Sequence, residues 1–448
     1  MELTDHLRLK VFSSRRPLLV IETKLGKRHG LGSGSIYRIS FGTHSTKARL
    51  RLDKSQPASV LAVSEHTQGE LVLSAAPAYL LRRIGKEIRL GPLIGILYCR
   101  RRDRLTSRRL RRLQSYIREY PRLRCSIVVF SLDQINRRKL TVNGFLYNPT
   151  SDSWDAGTYP FPAAMYRRIG VPPSWRDFFH QTIGRAWFND YYWDKFELHQ
   201  RLSTLPAIRD YLPETRLALT VEDVQCLLAK HGRVFLKPVA GMRGRGAVQL
   251  AQSGAGVSVR RADMAGSMLL ARQEEVTRFL LEQVIGTGYL VQQYLPLLKW
   301  QDCVIDLRVL MQKEDDCRWH CQGMVVRQGM QGSIVSNISR RGVAWQVDLF
   351  LRDCLSLTEQ AAQEWRQQAE QVAGRVCAAI DTLGWNNGTI GLDLGLDQSG
   401  RWWLIEANNR DPDPTIALDA NDSQLYRRLK LAPLLYAKGL AGFGPDHE

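Results

Sequence analysis

The 448-residue sequence predicts an α+β protein that is divided into about two or three domains. Three observations predict this class. The chain is longer than the roughly 250–300 residues at which single hydrophobic cores stop growing. Short apolar runs of the kind that form strands recur along the whole sequence. In the second half these runs follow one another with few helical patterns between them, which predicts a largely antiparallel sheet.

Residues 1–90 alternate apolar and polar positions in short runs that glycines interrupt. The runs Leu18–Ile21 and Ser35–Ile39 predict strands, because both are β-prone and are bounded by turn residues. We therefore expect residues 1–90 to form a small, mostly-β N-terminal domain. No pattern within this domain indicates chemistry.

A strand–helix–strand pattern opens the second unit, which we assign to residues 91–190. The run Gly91–Tyr98 predicts a buried strand, residues 106–120 have helical spacing of leucine and isoleucine, and Cys125–Phe130 predicts a second buried strand. Strands separated by a helix are typical of a parallel crossover. Residues 144–165, rich in aromatic residues and proline, are expected to be extended. The second domain is therefore predicted to be α/β.

Residues 191–448 are predicted to form the third domain, with a glycine-loop subdomain at about 205–298. A helix is expected at 195–205, and a long helix is expected to start at the capping box Ser356–Glu359 and to end near Gly384. The predicted strands are Val234–Leu236, Ala247–Leu250, Tyr289–Val291, Leu307–Leu310, Gly323–Val326, Ile390–Asp393 and Trp402–Ile405.

The formal net charge of +19 is concentrated in one stretch of the sequence. Between Arg100 and Lys139 there are 14 Lys or Arg residues but three acidic residues. The dense segment 100–112 fits either a polyanion partner or the solvated face of a helix. No aromatic residue interleaves its arginines and no nucleic-acid motif is visible, so we expect a solvated face and no nucleic-acid partner.

The sequence predicts a cytoplasmic protein. No run of about 18 uncharged apolar residues occurs, so no membrane-spanning helix is expected. The segment Met1–His6 contains acidic residues and no apolar core, which predicts that no secretory signal is present. The eight cysteines are scattered, which is typical of reduced thiols in a large protein.

The first chemical signal is a lysine at the end of an apolar strand. Lys237 closes Val234–Pro238, and the glycines Gly241, Gly244 and Gly246 follow it. Glycine lets the backbone approach a polyphosphate and direct N–H groups at it, while lysine supplies a positive charge. The same pattern also occurs in tight hairpins, so both interpretations remain open at this point.

The second signal is a set of oxygen-bearing side chains, Asp393, Glu406 and Asn408. A turn at 397–400 predicts a hairpin that brings Asp393 and Glu406 together on one face. Two carboxylates and an amide oxygen suit Mg²⁺, and Mn²⁺ is an alternative. The alternative is a pair of solvated strand residues. Glu406 follows the apolar run Trp402–Ile405, so it is expected to be half-buried and to need a partner, which favours the metal.

In this order, these signals resemble the ATP-grasp superfamily, which implies ATP and Mg²⁺ as cofactors. The resemblance assigns Lys237 and its glycine loop to the phosphates, and Lys195, at the start of a helix, to a second phosphate-binding lysine. The strand Leu290–Leu295 resembles the adenine-binding hinge. Its implied adenine contacts are Gln292, which occupies a position where glutamate is common, with Gln293 and Leu295.

The resemblance extends to residues near the reacting groups. Asp306-Leu307-Arg308 is similar to the Asp-x-Arg of amino-acid-adding ligases, which implies that Asp306 contacts ribose and that Arg308 lies near the transferred phosphate or the substrate. The segment 336–342 resembles their Ser-Asn-x-x-Arg-Gly-Gly, with arginine in place of the first glycine, and this implies catalytic roles for Asn337 and Arg340. After Asn408 the run Asn409–Pro414 departs from the superfamily pattern through extra charged residues, which affects the expected acceptor substrate.

A narrower resemblance, to the YheC/YheD family of endospore coat-associated proteins, covers about residues 91–420. It rests on Gly91–Leu97, Tyr159–Ile169, Tyr211–Thr215 and the motifs above. It implies an ATP-grasp fold preceded by an α/β pre-ATP-grasp-like domain and the small mostly-β domain.

The implied function is that of an ATP-dependent carboxylate–amine ligase of the peptide type. It would work through an acyl phosphate on unknown carboxylate and amine substrates, with spore-coat proteins as partners. One alternative is a non-catalytic nucleotide-binding structural protein of the spore coat, and a second is a basic polyanion-binding protein.

Overall fold

The computed structural model describes residues 6–239, 246–262, 264, 266–334, 342–410 and 412–445. The first elements are β1 (Arg8–Phe12), β2 (Leu18–Glu22), α1 (Thr23–Arg28), β3 (Ile36–Phe41), β4 (His44–Asp53), β5 (Val60–Ser64), α2 (Glu65–Leu71), β6 (Leu80–Ile84) and β7 (Glu87–Gly91). The strands form one seven-stranded sheet in the order β1-β5-β2-β4-β3-β7-β6. The mostly-β content expected before residue 90 is therefore present.

A second sheet follows directly along the chain. Its elements are β8 (Leu93–Cys99), α3 (Ser107–Ile117), α4 (Tyr120–Leu123), β9 (Ser126–Asn136), β10 (Thr141–Asn148), β11 (Ser153–Pro160), β12 (Ala164–Arg167), α5 (Pro173–Ile183) and β13 (Trp187–Phe188). The strand order is β11-β10-β9-β8-β12-β13. β8 pairs in parallel with both β9 and β12, so the predicted parallel crossover through α3 is confirmed.

The third sheet is antiparallel throughout and contains the lysine strand. Its elements, with the helices before it, are α6 (Lys195–Ser203), α7 (Pro206–Arg209), β14 (Thr215–Leu217), α8 (Val221–His231), β15 (Arg233–Pro238), β16 (Val248–Ser253), β17 (Gly256–Arg261), β18 (Met268–Leu270), α9 (Gln273–Gln283) and β19 (Tyr289–Gln293). The order β14-β19-β15-β16-β17-β18 places β19 next to β15.

The fourth sheet is also antiparallel and contains the carboxylates. Its elements are β20 (Lys299–Trp300), β21 (Cys303–Lys313), β22 (Trp319–Gln328), β23 (Val343–Gln346), α10 (Val347–Leu349), α11 (Glu359–Thr382), β24 (Thr389–Leu396), β25 (Trp402–Asn408), α12 (Ile416–Asp419) and α13 (Ser423–Lys438). The order is β23-β22-β21-β24-β25, and β20 pairs with β21.

The start of α11 differs from the predicted capping box. The helix begins at Glu359, and its N-cap is Thr358, whose hydroxyl accepts a hydrogen bond from the backbone N–H of Ala361 at 3.3 Å. Ser356 lies outside the helix with φ of +52°, so it cannot act as the N-cap. The end is as expected, because Gly384 follows the helix with φ of +84°.

Two packing relations tie the parts of the chain together. One hydrophobic core is continuous from Leu7 and Leu50 in the first sheet to Phe130 and Trp187 in the second. The C-terminal helix α13 contributes Leu434 and its neighbours to a core formed with β8, β9 and α3. The predicted boundaries at 90 and 190 therefore separate parts of the chain that share buried surface.

The cysteines and the arginines of α3 are in the environments expected from the sequence. All eight cysteines are free. The arginines Arg108, Arg111 and Arg112 lie exposed on α3, while Leu110 and Leu113 are buried beneath them, which fits the solvated helix face. In the described part of the chain, no helix is long and apolar enough to cross a membrane.

Candidate functional site

Lys237 lies at the end of β15, and its side chain contacts the neighbouring strand β19. Its Nζ donates a hydrogen bond to Oε1 of Gln292 at 2.5 Å, and Nε2 of Gln292 donates to Oγ1 of Thr215 at 2.8 Å. Three strands thus supply one side chain each, because β14, β19 and β15 are adjacent in the sheet. This chain of hydrogen bonds fixes the position of the ammonium group.

The environment of Lys237 perturbs its ionisation. Burial lowers the pKa of Lys237 to about 8, and the nearby charge of Lys195 acts in the same direction. The carboxylates Glu406, Asp393 and Asp306 act in the opposite direction. The two lysines and the three acids therefore belong to one electrostatic neighbourhood, although they come from five separate elements.

Lys195 is the first residue of α6 and lies opposite the end of β25. The side chain of Asp194 caps the helix by accepting a hydrogen bond from the backbone N–H of Glu197 at 2.8 Å. Lys195 Nζ lies 3.6 Å from Oε1 of Glu406. Both side chains are about a quarter exposed, at 26% and 30%, so a ligand can reach them from the cleft.

A cleft separates the third and fourth sheets at this point. It is lined by Lys195, Leu198, His199, Leu202, Leu212, Thr215, Lys237, Leu290, Gln292, Leu404, Ile405, Glu406 and Ala407. The walls combine apolar side chains with polar and charged ones, and the latter include the two ammonium groups of Lys195 and Lys237. Such a cleft suits a ligand with a planar apolar part and an anionic part.

The fourth sheet carries a buried network of two acids and two arginines. Arg327 donates to both carboxylate oxygens of Asp306, with Nε–Oδ1 and Nη2–Oδ2 distances of 2.6 Å, and its Nη2 is 2.9 Å from Oδ2 of Asp393. Arg308 also binds Asp393 through two nitrogens, and its Nη2–Oδ2 distance is 3.2 Å. The strand register explains these pairs, since Asp306 lies opposite Arg327, and Asp393 lies opposite Arg308 and Glu406.

Arg327 has no counterpart among the residues predicted from the sequence. A signal was present, because Arg327 closes the apolar strand segment Met324–Val326 in the way that Lys237 closes its own strand. Its partner could not be identified without the register of β21 and β22. Arg327 is 7% exposed, so its charge needs buried partners.

The charges around Asp393 bear on metal binding. Burial raises the pKa of Asp393, but Arg308 and Arg327 outweigh that effect and hold the pKa below its usual value. Asp393 is thus ionised and lies opposite Glu406 on the adjacent strand, with Asn408 two residues further along β25. Within the described ranges, no group of three His, Cys, Asp or Glu side chains converges on a metal position. The predicted set of Asp393, Glu406 and Asn408 offers two carboxylates and one amide oxygen, which are donors that suit Mg²⁺. Arg308 and Arg327 engage both oxygens of Asp393, so metal binding there stays a prediction.

The family model for YheC/D-like ATP-grasp matches residues 184–440. This is more than half of the chain, and it includes both lysines and the three residues of the predicted metal set. The chain belongs to this family.

Two curated relatives of this ATP-grasp chain come from Bacillus subtilis (strain 168). The endospore coat-associated protein YheD is 25% identical over 296 residues, which cover 63% of this chain and 63% of YheD. The endospore coat-associated protein YheC is 21% identical over 311 residues, which cover 65% of this chain and 82% of YheC. The match thus spans less than two thirds of the length of YheD.

Solved structures with a similar fold include N5-carboxyaminoimidazole ribonucleotide synthetase from Thermotoga maritima, with 11% identity and a TM-score of 0.41 over 77% of this chain and 76% of that one. D-alanyl-alanine synthetase A from Vibrio cholerae O1 also has 11% identity, with a TM-score of 0.38 over 77% of this chain and 98% of that one.

The predicted family and the α+β ATP-grasp fold class are confirmed by the family match. Membership of an ATP-grasp family implies nucleotide binding.

The three residues with predicted adenine contacts, Gln292, Gln293 and Leu295, have partners within the protein or are buried. The side chain of Gln292 is engaged by Lys237 and Thr215, so its oxygen faces an ammonium group. Gln293 joins the backbone of Glu214, donating through its own N–H at 2.8 Å and accepting through Oε1 at 3.3 Å. Leu295 is buried. Their adenine contacts stay predictions.

The predicted roles of Gly246 and Asp306 stay predictions, although the structure shows the contacts of both residues. Gly246 has φ of +75°, and its carbonyl accepts a hydrogen bond from the Tyr289 hydroxyl at 2.9 Å. Asp306, expected at the ribose, has both oxygens bound to Arg327, so its ribose contact stays a prediction. The predicted residues Gly241, Gly244, Asn337 and Arg340 lie outside the described residues.

Proposed function

We propose that the chain binds Mg-ATP in the cleft between its third and fourth sheets and uses it to join a carboxylate to an amine. The observation that carries the proposal is the convergence of Lys195, Lys237 and Glu406 on this cleft. The two ammonium groups suit the phosphates of ATP, and the apolar walls suit adenine. The hinge residues Gln292, Gln293 and Leu295 would hold the base, and Asp306 the ribose.

Asp393, Glu406 and Asn408 would hold Mg²⁺, or Mn²⁺ in its place. Bound there, the metal would neutralise charge on the phosphate oxygens. In the structure, the guanidinium groups of Arg308 and Arg327 pair with the carboxylate of Asp393 and balance its charge. The acid therefore keeps its negative charge in a buried position.

In the proposed reaction, a carboxylate oxygen of the first substrate attacks the γ-phosphorus and ADP leaves, which gives an acyl phosphate. The amine of the second substrate then attacks the carbonyl carbon, the bond to the phosphate oxygen breaks, and the nitrogen loses a proton. The protein positions the reactants and offsets developing charge. Lys195, Lys237 and Arg308 supply that charge, and Asn337 and Arg340 are proposed to contact the substrates.

The test is release of ADP and phosphate in the presence of Mg-ATP and mixtures of amino acids or short peptides. Turnover should require both a carboxylate and an amine, and Glu406→Gln should lower it by about a hundredfold or more. Glu364→Gln removes an exposed acid of α11 and is the matched control. Equal turnover in the Glu406→Gln variant and the wild type would overturn the mechanism.

The names of YheC and YheD support a non-catalytic alternative, in which the chain is a nucleotide-binding structural protein of the spore coat. Calorimetry separates the two proposals. Mg-ATP binding without turnover under any mixture favours the structural role, while turnover favours the ligase. In either role, fractionation of spores with an antibody against the chain tests association with the coat.

A basic polyanion-binding role remains the second alternative. The exposed arginines of α3 would provide the surface, and binding to an acidic polymer would weaken steeply with salt. The substitution of Arg108, Arg111 and Arg112 by glutamine would then abolish retention on the polymer. Retention unchanged by these substitutions would eliminate that role for α3.

A further inference from the structure

The segment Asp190–Trp193 runs beside the end of β25, close to the predicted metal set. Nδ2 of Asn409 donates to the carbonyl of Tyr191 at 2.6 Å, and the indole N–H of Trp193 donates to the carbonyl of Ala407 at 2.9 Å. Because the segment follows β13 directly, it connects the second sheet to the strand that carries Glu406 and Asn408. Groups on this segment thus adjoin the proposed reaction site.

Three arginines gather on this segment. Arg167 Cζ lies 4.1 Å from the centre of the Tyr192 ring, and Arg410 Cζ lies 5.6 Å from the same centre. Arg176 Cζ lies 5.4 Å from the centre of the Tyr191 ring. The guanidinium carbons of Arg167 and Arg410 therefore lie no more than about 10 Å apart, because both lie close to the same ring.

Arg167 is 2% exposed, yet its hydrogen bonds are incomplete. One nitrogen, Nη2, donates to the carbonyl of Asn189, whereas Nε has no hydrogen-bond partner within the part of the chain that the structure describes. Burial lowers the pKa of Arg167, and the charges of Arg176 and Arg410 add to that effect. Burying a cation that has an N–H without an acceptor costs free energy of folding. A ligand that supplies the missing acceptor removes that cost.

Two acids of the described residues adjoin this segment. The carboxylate of Asp190 accepts a hydrogen bond from the backbone N–H of Asn386 at 2.9 Å, and burial raises its pKa. The carboxylate of Glu197 accepts hydrogen bonds from the hydroxyl of Tyr191 at 2.9 Å. Asn387, which is fully buried, accepts from Asn409, but its own Nδ2 has no partner within the described ranges. Arg167 Nε and Asn387 Nδ2 are thus two buried donors without acceptors, and they favour a ligand that brings acceptor oxygens.

We propose that Arg167 and Arg410, with the amide of Asn387, bind a carboxylate of the acceptor substrate. This inference rests on the proposed ligase function and names its acceptor as an amino acid or peptide with a free carboxylate that does not react. A guanidinium pairs with a carboxylate through two parallel hydrogen bonds. The phosphates of ATP have Lys195 and Lys237, so the arginines beyond the end of β25 remain available for a second anion.

The experiment is calorimetric titration of the full chain with succinate, and with its uncharged counterpart succinamide, in the presence of saturating Mg-ADP. Succinate should bind saturably and succinamide should not. Arg410→Gln should weaken succinate binding by about tenfold or more, because it removes one charged partner. Arg427→Gln, at an exposed arginine of α13, is the matched control and should leave binding unchanged.

A second variant covers the buried arginine. Arg167→Lys keeps the charge but loses the fork of donors, so it should weaken succinate binding while Mg-ADP affinity stays within about twofold. If Arg167→Lys fails to fold, the Arg410→Gln titration decides alone. Three results would overturn the proposal: succinate binds the wild type and Arg410→Gln equally, succinamide binds as tightly as succinate, or succinate does not bind at all. The arginines would then serve only to hold the domains together.

Binding of Mg-ADP, measured separately, distinguishes a wrong carboxylate subsite from a wrong nucleotide-dependent function. If Mg-ADP itself does not bind, the nucleotide-dependent function fails. If Mg-ADP binds with the expected stoichiometry and succinate does not, the carboxylate subsite alone is wrong. Succinate binding that disappears when Mg-ADP is added would mean that succinate occupies the phosphate position, which also overturns the subsite.

Discussion

The charge of Lys237 is set by its burial between the third and fourth sheets. Burial lowers its pKa to about 8 from an ordinary value of 10.5. Below pH 8 the group is an ammonium that can hold phosphate oxygens, and above it the group is increasingly neutral. Its hydrogen bond to Gln292 keeps the nitrogen in place in both states.

Nucleotide affinity should therefore depend on pH through Lys237. We expect the affinity for Mg-ADP to fall as pH rises above about 8, approaching tenfold per pH unit. Calorimetric titrations between about pH 6.5 and about pH 9.5 measure this fall. Lys237→Met should bind more weakly at every pH and show no such slope, and parallel slopes in both proteins would contradict the assignment.

The same shift has a consequence for stability. Between the folded pKa of about 8 and the unfolded value of 10.5, the unfolded chain binds more protons at this lysine than the folded chain does. The free energy of unfolding should thus rise with pH across this window, relative to Lys237→Met.

Arg327 is predicted to matter for folding as well as for the site. Arg327→Met leaves Asp306 without its bidentate partner and Asp393 with one arginine, and we expect it to cost about 3–5 kcal/mol of unfolding free energy. Urea unfolding measures this loss. Arg352→Met, at an exposed pair with Asp353, is the control and should leave the free energy of unfolding nearly unchanged, because solvent screens an exposed ion pair. A similar loss in both variants would show that the buried network contributes no special stability.

At the residue scale, the sequence indicated those site residues whose immediate neighbours along the chain mark them as unusual. Lys237, Asp393 and Glu406 each end or interrupt an apolar strand, and the structure brings all three into one neighbourhood. The neighbours along the chain do not show which strands pair with one another or in which register. Arg327 could not be assigned to Asp306 and Asp393, because that pairing depends on the register of three strands that lie far apart in sequence.

At the scale of elements, local periodicity was sufficient to predict the parallel crossover from β8 through α3 to β9. The start of α11 was not predicted correctly, because Ser356 and Thr358 both precede the helix and both have hydroxyls that suit an N-cap. The left-handed backbone at Ser356 decides between them, and this conformation has no signature in the sequence.

The corrected cap of α11 gives a test at this scale. Thr358→Ala should lower the free energy of unfolding by about 1 kcal/mol, since it leaves the N–H of Ala361 without its partner. Ser356→Ala should change it by less than about 0.5 kcal/mol. Chemical denaturation of the two variants compares them, and the reverse order of effects would reinstate Ser356 as the cap.

At the scale of the whole molecule, the packing of α13 was beyond prediction. The helical pattern shows which face is apolar, but it does not show which domain covers that face. The structure packs α13 against β8, β9 and α3 of the second domain, more than two hundred residues earlier in the sequence. Together with the core shared by the first two sheets, this contact makes the predicted domains interdependent.

That interdependence predicts a global effect of a single buried residue. Leu434 in α13 is fully buried, and Leu434→Ala should cost about 2–5 kcal/mol through lost burial and the cavity it leaves. Leu418→Ala, at a leucine that is 44% exposed, is the matched control and should change stability by less than about 0.5 kcal/mol. Thermal unfolding followed by circular dichroism should show one transition in both variants, and a separate early transition in Leu434→Ala would contradict the interdependence.

The contact between α13 and the second domain also bears on the order of events during synthesis. Domains fold as they leave the ribosome, with N-terminal segments first. The apolar surface of β8, β9 and α3 emerges long before the helix that covers it, so this surface stays exposed until the ribosome has translated the third domain. In the cell, chaperones that shield apolar surface should therefore bind nascent chains that end between the second domain and α13, and release them once α13 has emerged.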